Sequence, residues 1–153
     1  ERMMFFCQGV LETLVMLRWA PDIIHCNGWM SSLVPMYLQE KYNNASVFEN
    51  TKVIYSLYKD SFLGSLNKDL KNKILFDELS EKNLSLINTP NAKNLHKLAI
   101  RYSDYIQIMK GFNNKDIFSF IENEKIKFMK NSGDANYEEV LDVYNNLCAT
   151  EVV

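Results

Sequence analysis

Groups that could contact a ligand are concentrated in one short stretch, where a predicted strand gives way to a helix. The apolar strand 23–26 contains His25 and is followed directly by Asn27, Gly28 and Trp29. In a parallel sheet, ligands usually bind in the loops that follow the carboxyl ends of the strands. An imidazole, an amide, an accessible backbone and an indole ring at that edge suit a polar ligand. This stretch is therefore the main candidate for a binding site.

A structural role is the alternative interpretation of these side chains. A histidine near the end of an apolar strand is often held by internal hydrogen bonds, and a tryptophan at a helix start often packs on the sheet. Tyr58 ends the next predicted strand, where its position suits a cleft and a packed site equally. Further along the chain, His96 and Lys97 are expected at the surface, and Asp104 is expected to form hydrogen bonds at a helix end.

Apolar periodicity predicts the elements that must position this stretch. Helices are predicted over residues 3–18, 30–42, 116–124 and 137–147. A further helix is expected to begin at Thr89-Pro90, with threonine as its N-cap and proline at its first position. Strands are predicted over residues 23–26, 52–58, 105–109 and 126–129. Residues 59–91 are expected to add no strand, only a helix around Leu70 and a short helical piece at 84–87.

This alternation of strands and helices predicts the class of fold. It implies right-handed crossovers and a parallel sheet with helices on both faces. The predicted fold class is therefore α/β and Rossmann-like, formed as a single domain over residues 1–153. A sheet of this type normally places a strand before its first helix, so we expect the domain to be N-terminally incomplete.

Composition narrows the classes of function. The chain has 153 residues, of which 47% are apolar, and its net charge is −2 with both signs interspersed, so no nucleic-acid partner is expected. The apolar N-terminal stretch is interrupted by Gln8 and Glu12 and is too short to cross a bilayer, so no membrane association is expected. Three scattered cysteines, Cys7, Cys26 and Cys148, indicate a reducing, cytoplasmic setting. Neither metal-ligand spacing nor a glycine-rich nucleotide loop occurs, so no metal and no cofactor is expected.

Three segments carry the patterns of a known family. Residues 19–35 read Trp-Ala-Pro-Asp-Ile-Ile-His-Cys-Asn-Gly-Trp-Met-Ser-Ser-Leu-Val-Pro, residues 52–58 read Lys-Val-Ile-Tyr-Ser-Leu-Tyr, and residues 97–108 read Lys-Leu-Ala-Ile-Arg-Tyr-Ser-Asp-Tyr-Ile-Gln-Ile. In order and spacing they resemble the bacterial glycogen/starch synthases, retaining glycosyltransferases of the two-domain GT-B class. The resemblance covers most of residues 1–110, and residues 111–153 resemble the tail of short members that lack the second domain. It implies the Rossmann-like N-terminal half of a GT-B fold.

At His25 and Trp29 this chain has the same residues as the family pattern, but at the neighbouring polar positions it differs. The family's second histidine falls at Asn27, its aspartate at Gly28, and the histidine that ends its second strand, beside the donor sugar, at Tyr58. The family's Lys-x-Gly-Gly-Leu loop, which helps to hold the donor diphosphate, does not occur in this chain. The resemblance therefore implies substrate binding at these five positions and does not identify the catalytic residues.

The resemblance also implies an activity, the transfer of a glucosyl group from nucleotide-glucose to an α-1,4-glucan in glycogen biosynthesis. Such an enzyme would need a second domain or a partner subunit to complete its site. The alternative is a non-catalytic glucan-binding or scaffolding module that kept the fold. Gly28 and Tyr58 favour that alternative, because neither supplies a charged group near pH 7. A third possibility is an unrelated α/β domain that binds a small molecule.

Overall fold

The computed structural model describes residues 1–59, 62–75, 79, 81–130 and 137–149. Within these residues, strands and helices alternate along the chain. The strands are β1 (Ile23–Asn27), β2 (Lys52–Leu57), β3 (Tyr105–Ile108) and β4 (Lys127–Lys130). The α-helices are α1 (Arg2–Met16), α2 (Val34–Glu40), α3 (Leu70–Leu75), α4 (Ala92–Arg101), α5 (Lys115–Glu124) and α6 (Tyr137–Cys148). Short 3-10 segments lie at Trp29–Ser31, Ser46–Phe48 and Glu81–Ile87.

The four strands form one parallel sheet in the order β1-β2-β3-β4. Parallel neighbouring strands are normally joined by right-handed crossovers, which place the connecting helices on one face, and here α1 packs on α2, α2 on α4, and α4 on α5. Helix α6 follows the last strand and packs on the opposite face, where Tyr144 contacts His25 of β1. The predicted α/β fold, a parallel sheet with helices on both faces, is therefore confirmed.

The apolar core lies on the face covered by the connecting helices. Cys26, Tyr55 and Ile106 stand side by side in register on three strands and are all buried. Buried side chains of α1, α2 and α4 pack against that face, among them Cys7, Leu11, Met36, Tyr37, Leu95 and Leu98. Because side chains alternate along a strand, His25 and Ser56 point to the opposite face, which α6 covers.

The predicted helix over residues 30–42 is wrong at its start. Trp29–Ser31 forms a 3-10 turn, and α2 begins only at Val34 with Pro35 in its first turn. Proline lacks a backbone N–H and its ring clashes with the carbonyl four residues earlier, so an α-helix cannot run through it from Met30. The chain therefore turns tightly at the end of β1 before α2 starts.

The predicted N-cap of the helix after residue 89 is also wrong. Helix α4 begins at Ala92, and the Asn91 side chain accepts a hydrogen bond from the backbone N–H of Asn94 at 2.9 Å. The backbone N–H of Asn91 donates to the Thr89 carbonyl at 2.8 Å, so Thr89 and Pro90 belong to the turn that precedes the cap. Asparagine and threonine both cap helices, and the geometry of this turn selects Asn91.

Replacing the two candidate caps should therefore have unequal effects on stability. We expect Asn91→Ala to lower the free energy of unfolding by about 1 kcal/mol, because the Asn94 amide loses its acceptor. Thr89→Ala is the matched control and should change it by less than about 0.5 kcal/mol, as for a surface substitution away from a cap. Urea denaturation of the three proteins measures both changes. A larger loss in the Thr89 variant would contradict the assignment.

Candidate functional site at the carboxyl edge of the sheet

The ends of β1 and β2 are joined by hydrogen bonds at the edge where the sequence predicts a ligand. The Tyr58 hydroxyl donates to the Asn27 side-chain oxygen at 2.9 Å, and the Gly28 backbone N–H donates to the Ser56 carbonyl at 3.1 Å. Asn27 in turn donates from its amide nitrogen to the His25 carbonyl at 3.1 Å. Asn27 is exposed and Tyr58 is 37% exposed, so both polar groups are accessible from solvent. The structure thus brings Asn27, Gly28 and Tyr58 together.

Gly28 makes the turn that separates this edge from the following helix. Its backbone dihedrals are φ 67° and ψ −177°, in a region that is essentially restricted to glycine. A Cβ at this position would meet only Tyr58 Cδ2, at 3.9 Å. The residue is therefore required by the backbone conformation and not by crowding. Its carbonyl accepts from the Ser31 hydroxyl at 3.0 Å, which stabilises the 3-10 turn.

Trp29 points away from this group, into a neighbouring open cavity. Its ring meets Phe62 edge-to-face, with the ring centroids 4.7 Å apart. Together with Met3, Met30 and Leu70 it lines a space of about 600 Å³ beside the N-terminus of α1. The tryptophan is partly buried there, so its packing role and a contact with a ligand are geometrically compatible.

His25 lies behind the edge, within a chain of hydrogen bonds that crosses three strands. Its Nδ1 is 2.5 Å from the Tyr144 hydroxyl of α6, and its Nε2 is 2.7 Å from the Ser56 hydroxyl. Ser56 donates onward to the Gln107 side-chain oxygen at 2.9 Å. Since the Ser56 proton is used there, His25 donates from Nε2 to Ser56 and accepts at Nδ1 from Tyr144. Burial lowers the pKa of His25, which favours this neutral form.

Both ring nitrogens of His25 are therefore occupied inside the protein. A ligand at the edge would meet Asn27 and Tyr58 first, while His25 supports the backbone on which Asn27 stands. Direct contact between His25 and a substrate stays a prediction. The structural interpretation of this histidine gains support from its two partners, Tyr144 and Ser56.

The prediction that His96 is exposed is wrong. The residue is only 4% exposed, and its Nδ1 lies 2.8 Å from the hydroxyl of the fully buried Tyr55. In the described part of the chain, no hydrogen-bond partner reaches its Nε2. Burial lowers the pKa of His96 to about 4, so the ring is neutral near pH 7. The spacing of Ala92, His96 and Ala99 places them on one face of α4, and that pattern could have revealed the burial.

Lys97 and Asp104 have roles in packing and strand pairing. The Lys97 ammonium lies 5.3 Å from the centre of the Phe120 ring on α5. The Asp104 carboxylate accepts a hydrogen bond from the Val53 backbone N–H at 2.7 Å. Asp104 therefore binds the start of β2 and not the end of α4, where the sequence predicted its hydrogen bonds. Both residues are remote from the carboxyl edge.

Three further features of the described residues bear on function. Among them, no group of three or more histidine, cysteine or acidic residues is placed to hold a metal ion. No α-helix in the described ranges is long and apolar enough to cross a membrane. Cys7, Cys26 and Cys148 are all unpaired thiols, and burial raises the pKa of Cys7 and of Cys26 to about 12.

A four-stranded parallel sheet with helices on both faces places the chain among the Rossmann-like α/β proteins. Comparison with known proteins narrows the class. Residues 1–125 match the sequence profile of the starch synthase catalytic domain, so the chain belongs to that family. The resemblance to glycogen/starch synthases is therefore confirmed.

Curated relatives agree with this assignment. The chain is 32% identical to a glycogen synthase of Fusobacterium nucleatum over 111 residues, which are 72% of this chain and 20% of that protein. It is 35% identical to a glycogen synthase of Clostridium perfringens over 107 residues, covering 69% of this chain and 22% of the relative. A Chlorobium chlorochromatii glycogen synthase is 39% identical over 79 residues, 52% of this chain and 16% of that protein. The chain thus spans about a fifth of the length of these relatives. No solved structure matches it significantly.

Proposed function

We propose that the chain is part of a glycogen synthase-like enzyme that transfers a glucosyl group from nucleotide-glucose to the end of an α-1,4-glucan. The observation that carries the proposal is the family match over residues 1–125, which contains every residue of the carboxyl edge. Two relatives named glycogen synthase align over 111 and 107 residues of the chain. The chain then contributes the N-terminal, acceptor-side half of a GT-B site.

The edge residues have the chemistry to hold a sugar. A glucan presents hydroxyl groups that both donate and accept hydrogen bonds. Asn27 uses one amide proton on the His25 carbonyl and retains the other, and the Tyr58 oxygen retains its lone pairs while its proton is directed at Asn27. We assign substrate binding to Asn27, Tyr58 and the backbone of Gly28. Trp29 offers an aromatic surface in the adjoining cavity, and His25 positions the strand behind the edge.

Glucosyl transfer also needs positive charge at the departing nucleoside diphosphate. Asn27, Gly28, Trp29 and Tyr58 carry none near pH 7. We therefore infer that a second domain or a partner subunit supplies the groups that hold the diphosphate. The carboxyl edge described above would then be one wall of a cleft and would bind the glucan.

Binding measurements on the chain test this proposal. We expect calorimetry to detect binding of maltoheptaose to the chain. Tyr58→Phe should weaken this binding about fivefold to tenfold, because one hydrogen bond to the glucan and the bond to Asn27 are lost. Tyr137→Phe is the matched control, since Tyr137 is 81% exposed on α6, and it should leave the affinity unchanged.

The outcomes separate the candidate functions. Transfer of labelled glucose from ADP-glucose to glycogen by the chain together with the rest of the enzyme supports the synthase. Glucan binding by an assembly that never transfers glucose would instead support the non-catalytic module. If neither maltoheptaose nor ADP-glucose binds, both interpretations fail.

A further inference from the structure

A second cavity lies further along the carboxyl edge, between the ends of β2 and β3. Its volume is about 400 Å³, and it lies beside the first turns of α4 and α5. The described residues that line it are Lys59, Ala92, Lys93, His96, Gly111, Phe112, Asn113 and Asn114. Asn27, Gly28 and Tyr58, which we assign to the glucan, do not line it, so it is a separate site.

The buried imidazole of His96 lines this cavity and has one nitrogen without a hydrogen-bond partner among the described residues. The possible hydrogen bonds of the ring show which of its two nitrogens carries the proton. If Tyr55 donates to Nδ1 of His96, then Nε2 carries the ring proton and is the one polar group of the pair without a partner. If His96 instead donates from Nδ1, both the Tyr55 proton and the Nε2 lone pair lack partners in the interior. Each buried polar group left unsatisfied costs about 1–3 kcal/mol, so the first arrangement is preferred. His96, which lines the cavity, therefore carries a buried N–H donor that has no partner among the described residues.

The groups around this donor also favour a ligand that accepts hydrogen bonds, and in particular an anion. Helices α4 and α5 are each ten residues long, and both begin at the cavity. The Asn91 and Asn114 side chains cap the third amide of each helix, which leaves the first two amides of each without an intrahelical acceptor. Helix N-termini carry partial positive charge and are common sites for phosphate groups.

The charged side chains at the cavity are mainly cationic. Among the described lining residues, two are lysines and none is a carboxylate. Lys93 is engaged by Asp116, with 2.9 Å between Nζ and Oδ2, so it is partly neutralised. The stem of Lys59 lies over the turn at Gly111, where a Cβ would be 3.4 Å from its Cδ, and Gly111 has a φ of 84°. Lys59 is therefore the lysine best placed to add a full charge.

From this arrangement we propose that the cavity binds the phosphate group of a phosphate-bearing ligand, held by the His96 Nε2–H, the Lys59 ammonium and the first amides of α4 and α5. Inorganic phosphate, a sugar phosphate and a nucleotide share this chemistry. The proposal does not rest on glucosyl transfer, because it uses a different set of residues from the glucan edge.

NMR of the imidazole nitrogens in the full chain tests the site without altering it. The chain has two histidines, so the spectrum contains only His25 and His96. We expect His96 to be protonated at Nε2, and its Nε2 resonance to shift on addition of inorganic phosphate with saturation by about 10 mM, as one charge-assisted bond and several neutral ones would give. His25, with both nitrogens occupied, should not shift. Parallel titrations with glucose 1-phosphate and with ADP identify which carrier of the phosphate is preferred.

Two matched lysine variants test the charge. Lys59→Gln should weaken phosphate binding about tenfold, as expected for loss of one charge-assisted hydrogen bond. Lys127→Gln makes the same change at the first residue of β4, at the opposite end of the sheet, and should have no effect. The double variant His96→Leu/Tyr55→Phe removes the buried polar pair together, so that neither partner is left unsatisfied, and calorimetry with inorganic phosphate should then show no saturable binding.

Any one of the following results would overturn the proposal. The first is an Nδ1-protonated His96. The second is the absence of a phosphate-dependent shift, or an equal loss in the Lys59 and Lys127 variants, which would indicate non-specific attraction. The third is a His96 shift with maltotriose and none with any phosphate compound, which would make the cavity a sugar site. A failed glucan experiment at Tyr58 would leave this proposal untouched, so the two can be told apart.

Discussion

Acidification from pH 7 to pH 4 should cost the protein about 3 kcal/mol of folding free energy through His96 alone. Burial lowers the pKa of this imidazole from 6.5 to about 4 in the folded protein. In the unfolded chain the ring takes up a proton below its ordinary pKa, whereas the folded state resists protonation. The unfolded state therefore binds more protons in this range, and stability falls as the pH falls from about 6.5 towards 4. The stability that is lost through His96 at low pH is therefore fully present above about pH 6.5.

A difference measurement isolates this histidine from the other titrating groups. The double variant His96→Leu/Tyr55→Phe removes the imidazole and the phenol that bonds to it at 2.8 Å. Carboxylates and His25, whose pKa burial also lowers, titrate alike in both proteins and cancel. Urea denaturation at half-unit steps of pH should give stability curves that separate as the pH falls, with the wild-type protein losing about 3 kcal/mol more than the variant by pH 4. Parallel curves would show that His96 is accessible to protons in the folded state.

The sequence is sufficient to predict the parallel sheet, because its signals are local and strong. Strands β1, β2 and β3 are rich in β-branched and aromatic residues, and the predicted bounds of β2 and β3 lie within one residue of the observed ones at each end. Helices α5 and α6 follow from the spacing of apolar residues such as Ile117 and Ile121. Errors occur where two local signals compete. Thr89-Pro90 and Asn91 are both good helix starts, and only the turn geometry selects between them.

The candidate site was predictable only in part, because much of it depends on contacts between distant residues. Asn27, Gly28 and Tyr58 meet because the carboxyl ends of parallel strands lie at one edge of the sheet. This general rule allowed their proximity to be predicted from the sequence. The bond between His25 and Tyr144 joins residues 119 positions apart and has no sequence signal. The second cavity depends on His96, whose burial the spacing of Ala92, His96 and Ala99 could have indicated, but its bond to Tyr55 joins residues 41 positions apart and has no sequence signal.

Gly28→Ala should lower the free energy of unfolding by about 2 kcal/mol, or roughly 6 °C in midpoint temperature. The cause is the backbone, since φ 67° with ψ −177° is a conformation that side chains with a Cβ strongly disfavour. Steric crowding contributes little, because the nearest atom to a Cβ there would be Tyr58 Cδ2 at 3.9 Å. Gly9→Ala is the matched control in the interior of α1, where a Cβ meets nothing within 4 Å and the change should stabilise by about 0.5–1 kcal/mol.

Gly28→Asp extends the same prediction to function, because an aspartate occupies this position in the family pattern. We expect it to be destabilised about as much as the alanine variant, since the backbone strain is the same for both side chains. The aspartate therefore cannot be restored here without a change in the turn that joins β1 to Trp29. Thermal unfolding monitored by circular dichroism measures all three variants. An aspartate variant as stable as the wild type would show that the turn can adopt a second backbone conformation, and its glucan affinity should then be measured against that of Tyr58→Phe.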